Sequence, residues 1–287
     1  MSEAIEALNL EAWVAKAQSD KKHFREAVHI ILTAIGASTA LRTKMVMKGG
    51  MLMALRYDSS RFTKDADFST KALYAEGDEK ELLAELDARL ALANNELPYD
   101  TECRIQRFEI RPARSDKTFP TLSVNIGYVP RSNEDAMRRL LAKQSSTVVA
   151  IDYSYNEAVL DVDVLQLKDG DELQVYSLVN LMAEKYRSLL QQPTRRRNRR
   201  QDVYDLSLLL AEVKDWTKSE IQNLRDLIVL SAKSRGIEAT VSSMRDPKVK
   251  QMAAEGYEEM RDEVDGSLPE FSKIYQDVLD FYEGLPW

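Results

Sequence analysis

At 287 residues the chain is long enough for one large domain or two modest ones with a properly buried core. It is 44% hydrophobic and 30% charged with a net charge of −7, a composition too apolar for disorder and too acidic to favour a general nucleic-acid coat. One cysteine, Cys103, and two histidines, His23 and His29, leave no material for an internal disulfide or a zinc centre.

No run approaches the roughly 18 apolar residues of a membrane span. The acidic opening "MSEAIEALNLEAWVAKAQSDKK" lacks the basic-then-apolar layout of a secretory signal. The expectation is a cytoplasmic protein with no membrane association and no structural metal.

Residues 3–40 read as helical, with Phe24, Val28, Ile31, Leu32 and Ile35 at helical spacing, so His23 and His29 read as packing or surface residues. "MVM" reads as a short buried strand and "MLMALRY" as a helix start, with Gly49 and Gly50 between them. "KDADFS" reads as a strand, and period-two alternation sends Asp65 and Asp67 to one face and Ala66 and Phe68 to the other. "DEKELLAELDARLALANNE" is an amphipathic helix with Leu82, Leu83, Leu86, Leu90 and Ala93 on one side.

"ECRIQRFEIRP" and "TLSVNIGYVP" read as strands, the second alternating Leu122, Val124, Ile126 and Tyr128 with Ser123, Asn125 and Gly127. "EAVLDVDVLQL" reads as another strand and "KDGDE" as a hairpin-like turn. From Tyr176 the pattern is helical to the end, without internal repeat, low-complexity segment or linker. The shift near residue 170 predicts a mixed α/β domain with N-terminal helices over 1–170 and a helical domain over 171–287.

Two carboxylates held a few ångströms apart on a strand repel each other unless a cation joins them, and Mg²⁺ suits such a pair with water and substrate phosphates. Gly49 and Gly50, at a helix start whose N–H groups favour anions, would let the backbone approach those phosphates. Gly-Gly alone is a turn, and Asp-x-Asp alone arises by chance in an acidic chain. The order strand, Gly-Gly, helix, Asp-x-Asp strand is more particular, and neither GxxxxGK[ST] nor GxGxxG is present.

In the helical half, Lys185 falls in the apolar stripe of Leu178, Leu181, Met182 and Leu189, so its ammonium must either snorkel to water or meet an anion. Glu184 falls on the polar side. Asp202 and Asp205 share one helical face. Asp202, in register with Leu206 and Leu209, reads as the inward carboxylate, with Lys185 or an arginine as partner, and Asp205 as a structural salt-bridge residue. "TRRRNRRQD" places five arginines among Arg195 to Arg200, either a solvated helix end or an anion site for triphosphate or RNA backbone. In the tail, Trp216, Leu224, Leu227 and Ile228, and then Phe271, Tyr275, Leu279 and Tyr282, read as packing residues without catalytic signal.

"KGGMLMALRY…SRFTKDADFS", followed by "VYSLVNLMAEKYRSLL" and "RRNRRQDVYDLSLLL", resembles the nucleotidyltransferases of the AbiEii/MenT toxin group over about His23 to Leu210. That resemblance implies a polymerase-β-like core with a mixed sheet and a helical C-terminal domain. It implies an NTP substrate with Mg²⁺ (or Mn²⁺), transfer of a nucleoside monophosphate to an RNA hydroxyl such as the tRNA 3′ end, and a toxin role in a toxin–antitoxin or phage-defence system with a separate antitoxin. The residues it carries over are Asp65 and Asp67 as metal ligands and catalytic acids, Lys185 facing the phosphates, and Asp202 as the late active-site aspartate with Asp205 beside it. Lys48, Gly49, Gly50, Arg61, Arg197 and Arg200 are the further nucleotide-binding candidates.

The chain departs from that pattern twice. Met51 stands where the group has Ser or Thr. The third carboxylate of such sites aligns with Asn125, whose amide cannot take a proton. Glu109, or Asp161 and Asp163, are the substitutes in view, the last two reading rather as a solvent-facing edge. A catalytically degenerate binding protein, or a phosphotransferase acting on protein, is therefore the alternative reading.

Overall fold

The computed structural model describes residues 6–112 and 118–287. Their contacts gather into two compact units, Met1–Arg56 with Lys64–Val175, and Tyr57–Thr63 with Tyr176–Trp287.

The first unit is built on one mixed sheet. Its strands are β1 (Glu6–Ala7), β2 (Val46–Lys48), β3 (Asp65–Ser69), β4 (Thr101–Arg111), β5 (Thr121–Pro130), β6 (Val148–Ser154), β7 (Val162–Gln166) and β8 (Glu172–Tyr176). They lie in the order β1-β7-β8-β2-β3-β6-β5-β4. The pairs β2/β3, β4/β5 and β5/β6 are antiparallel, whereas β1/β7, β2/β8 and β3/β6 are parallel. The helices are α1 (Leu10–Ala15), α2 (Lys22–Gly36), α3 (Thr39–Arg42), α4 (Gly49–Arg56), α5 (Asp78–Glu96) and α6 (Glu134–Leu141).

The helical expectation for residues 3–40 is corrected in part. Residues 3–5 lie outside the described residues, and Glu6–Ala7 forms an edge strand on β7. The rest breaks at Asn9 and Ser38, which cap α1 and α3 through their side chains. Strands β6 and β8 were not among the predicted elements. In β6, buried Val149, Ile151 and Tyr153 alternate with the half-exposed Val148, Ala150, Asp152 and Ser154. That alternation is an ordinary strand signal. Helices α2 and α5 pack beside β4 and β5, and the core holds Ala66, Phe68, Leu122, Val124, Ile126, Val149, Ile151 and Tyr153.

The second unit is helical: α7 (Leu178–Arg195), α8 (Arg200–Leu209), α9 (Lys218–Lys233), α10 (Pro247–Ala254) and α11 (Phe271–Glu283). Segment 57–63 joins it by a strand-like pairing: Phe62 N–H donates to Glu263 O at 2.7 Å and Asp265 N–H to Ser60 O at 3.1 Å. Helix α7 contains Pro193, which cannot donate to the carbonyl four residues back. The side chain of Gln192 repairs that loss. Its Nε2 donates to Leu189 O at 3.1 Å and to Val249 O at 3.2 Å, and its Oε1 accepts from Arg199 N–H at 2.7 Å. A buried amide thus satisfies the orphan carbonyl and anchors the arginine run.

Candidate active site

Residues in register on neighbouring strands present their side chains to the same face of a sheet. Lys48 on β2 is in register with Asp67 on β3, Asp67 with Asp152 on β6, Asp152 with Ser123 on β5, and Ser123 with Glu109 on β4. The next row reads Asp65, Ala150, Asn125 and Arg107. The face opposite the apolar core therefore carries Asp65, Asp67 and Asp152 on adjacent strands.

The electrostatics of this face match its layout. Asp65 reaches solvent, yet its carboxyl is held above the ordinary range, first by desolvation from the atoms around it and then by the negative charge of Asp152, with Lys64 opposing. Gly49 opens α4 at φ 71°, a left-handed conformation, and a Cβ there would overlap the Asp67 carboxylate. Close approach of backbone to carboxylate is thus what glycine at 49 supplies. Among the described residues, no three His, Cys, Asp or Glu side chains already converge as a metal-binding group. The donor chemistry is nonetheless what a hard divalent ion prefers: carboxylate oxygens on neighbouring positions of one face.

Asn125 is not the register partner of Asp67; it faces Ala150, and the carboxylate opposite Asp67 is Asp152. With its amide oxygen turned to Arg107, Asn125 accepts from Nε at 2.5 Å and from Nη2 at 3.0 Å. The other substitutes stand elsewhere. Glu109 lies two strands beyond Asp152 in the same row and pairs with Arg111. Asp163 pairs with Arg56 at 2.6 Å, and Asp161 precedes β7. Met51 is buried in the core.

The second unit gathers its own charged group. Asp205, 1% exposed, accepts from Lys185 Nζ at 2.5 Å and from Arg61 Nε and Nη2 at 3.3 and 3.1 Å. Asp202 accepts from the same Nζ at 3.2 Å. Burial pushes Lys185 down, but the charges of Asp205 and Asp202 overcome it and hold the ammonium above its ordinary value. Burial likewise pushes Asp205 up, and Lys185 and Arg61 bring it below the usual carboxylate range. Two cations and two anions make the cluster neutral.

This corrects the assignment of Asp202 as the inward carboxylate. Asp202 sits in the first turn of α8 and keeps 14% of its side chain exposed, whereas Asp205 one turn on is enclosed. Arg61 is committed to Asp205. Arg200 is paired with Glu259 at 2.8 Å and Glu263 at 3.5 Å, beneath Gly256, while Arg195, Arg196 and Arg197 are exposed. Glu184 pairs with Arg187 at 2.9 Å, as a residue of the polar side would.

The family model for the nucleotidyl transferase AbiEii toxin of type IV toxin–antitoxin systems matches residues 30–280. The chain belongs to this family. It is accordingly a nucleotidyltransferase, and the family's chemistry brings an NTP substrate and usually a divalent metal. Among solved structures it is similar to JHP933 from Helicobacter pylori, with TM-score 0.53 and 13% identity over 93% of this chain and 92% of that one. It is also similar to a candidate nucleotidyltransferase from H. pylori, with TM-score 0.50 and 12% identity over 93% of this chain and 95% of that one. At these identities the likeness is one of fold. Comparison with curated proteins gives no match. No helix among the described residues is long and apolar enough to cross a membrane.

Proposed function

We propose that this nucleotidyltransferase moves a nucleoside monophosphate from an NTP to a hydroxyl of RNA, acting as the toxin of a toxin–antitoxin pair. The observation that carries the reading is the alignment of Asp65, Asp67 and Asp152 on one polar face beside the Gly49 turn. A divalent ion, Mg²⁺ by the hardness of these ligands, would be held by Asp65 and Asp67 and would neutralise phosphate charge. The acceptor oxygen forms a bond to the α-phosphorus as the bond to the pyrophosphate oxygen breaks, and pyrophosphate leaves with that electron pair. Asp152 takes the hydroxyl proton on a carboxylate oxygen, the role an amide at Asn125 could not fill. Backbone N–H groups at the start of α4, Gly49 and Gly50 among them, receive the phosphates, with Lys48 alongside.

The family resemblance makes Lys185 the candidate for a phosphate oxygen. Of its two carboxylate partners, Asp202 is the more distant and the more exposed, so it is the one a phosphate can replace. Asp205 and Arg61 hold Lys185 in place rather than touching substrate. Arg197 remains a phosphate candidate by its exposure, and Arg200, tied to two glutamates, does not.

The test incubates the chain with each α-labelled NTP, Mg²⁺ and total RNA, beside Asp65→Asn, Asp67→Asn and Asp152→Asn. Label should enter RNA with the wild-type chain and fall by at least about a hundredfold in each variant. A parallel incubation with γ-labelled NTP that puts label on protein, with none from the α position, would establish the phosphotransferase reading. Undiminished transfer by Asp152→Asn would remove the proton acceptor named here.

A further inference from the structure

The edge strand β4 carries a feature that the metal face does not use. Its pairing with β5 shifts at Gln106: Ile105 is opposite Ile126, yet Arg107 is opposite Asn125. One extra residue in a strand reverses the alternation beyond it. Arg104, opposite Gly127, therefore faces the same side as Arg107, Glu109 and Arg111. Without the bulge Arg104 would face away from the other two arginines. The bulge thus lines one side of an exposed edge with three arginines on a chain of net charge −7.

Each arginine has an exchangeable partner. Arg104 pairs with Glu102 at 3.0 Å and is half exposed, Arg111 pairs with Glu109 and is more than half exposed, and Arg107 donates to the neutral Asn125. An exposed pair such as Arg111–Glu109 contributes at most about 1 kcal/mol, so an incoming anion can replace it, and Arg131 keeps the buried Glu102 paired when Arg104 turns to a phosphate. The strip lies two strands from Asp152, or roughly 10 Å at about 4.8 Å per strand, on the same face. Arg107 and Arg111 are spaced by roughly 13 Å along the strand. A single phosphate cannot span that row, whereas a chain of phosphates can.

We infer that the β4 edge is the docking strip for a single-stranded polynucleotide acceptor, with Arg104, Arg107 and Arg111 on separate phosphates along its backbone. This rests on the reading of Asp152 as the acceptor side of the reaction, and it deepens that reading by naming what holds the acceptor away from the reacting hydroxyl.

Binding of a short fluorescein-labelled single-stranded RNA, followed by anisotropy from low to high salt, tests it apart from catalysis. In Arg104→Gln/Arg107→Gln/Arg111→Gln the slope of log affinity against log salt should shrink by about 2, three contacts at about 0.7 each. Restoring charge with three lysines should restore the slope. Glu109→Gln, which removes a same-face negative charge, should tighten binding. The inference is overturned if the glutamine variant keeps the wild-type slope while Arg195→Gln/Arg196→Gln/Arg197→Gln loses it. It is equally overturned if poly-L-glutamate displaces the RNA as well as a polynucleotide does, since the strip would then be a dock for acidic protein. If the slope falls as expected but no label reaches RNA from any NTP, the strip stands and the proposed reaction fails. If label is transferred and the slope is unmoved, the reverse holds.

Discussion

Removing the charge of Asp205 should unfold the helical unit far more readily than any catalytic role would require. Asp205→Asn keeps the shape but leaves Lys185 and Arg61 facing a neutral amide, with only Asp202, at 3.2 Å from Lys185, as compensation. Three charge-assisted hydrogen bonds end on this carboxylate. Their separate values cannot be added, because the two cations share one acceptor. The relevant experience is removal of one partner from a buried ion pair, which costs about 3–5 kcal/mol.

In urea that corresponds to a midpoint lower by roughly 1–3 M. Trp216 and Trp287 report on the unit that contains Asp205, so fluorescence in a Trp13→Phe background isolates the transition. The deficit should be flat through neutral pH. Asp205 is depressed, so its contribution is present above the unfolded carboxylate value of 3.8 and is lost only as pH falls through its lower folded value. Lys185 is raised, so its share is complete below 10.5 and is lost as pH rises through its higher folded value. The triple replacement Asp205→Leu/Lys185→Met/Arg61→Leu should be less damaging than Asp205→Leu alone, since it strands one part-exposed carboxylate, Asp202, in place of two buried cations. A shift below about 1 kcal/mol for Asp205→Asn would refute the structural reading and return Asp205 to the substrate side.

Gly49→Ala should cost about 1–2 kcal/mol in thermal unfolding from its φ of 71° and, by displacing the Asp67 carboxylate, weaken Mg²⁺ or Mn²⁺ binding in a calorimetric titration. Gln192→Leu strands the Leu189 and Val249 carbonyls and the Arg199 N–H, and should destabilise the chain by about 2–4 kcal/mol in the same urea assay. His29, hydrogen-bonded to Tyr99, is pushed by burial to about 4 from an ordinary 6.5. Its stabilisation is full above 6.5 and is lost as pH falls towards 4, by up to about 3 kcal/mol, because the unfolded chain takes a proton the folded one refuses. His29→Gln should flatten that part of the stability–pH curve, and an unchanged slope would show that other groups cause it.

Much of this protein is legible in its residues because the signals are local. Alternation placed Asp65 and Asp67 on one face, and the apolar stripes of α2 and α5 named residues that are buried. Lys185 on an apolar stripe had either to snorkel to water or to meet an anion, and in the fold it is buried against two. The β6 alternation is equally local, with buried Val149, Ile151 and Tyr153 at every second position.

Register is different, because it belongs to two strands at once. Which carboxylate stands opposite Asp67 depends on how β3 and β6, some eighty residues apart in sequence, slide along each other. Nothing in "TLSVNIGYVP" could reveal that its Asn125 would face Ala150. The choice between Asp202 and Asp205 is of the same kind. Both lie on one face of α8, and the second is the one that meets Lys185 from α7 and Arg61 from segment 57–63 and is enclosed. Local periodicity is written in the order of side chains along one segment, so sequence alone determines it. Pairing across segments is fixed by the packing of the folded chain, so only the tertiary structure decides which acids meet.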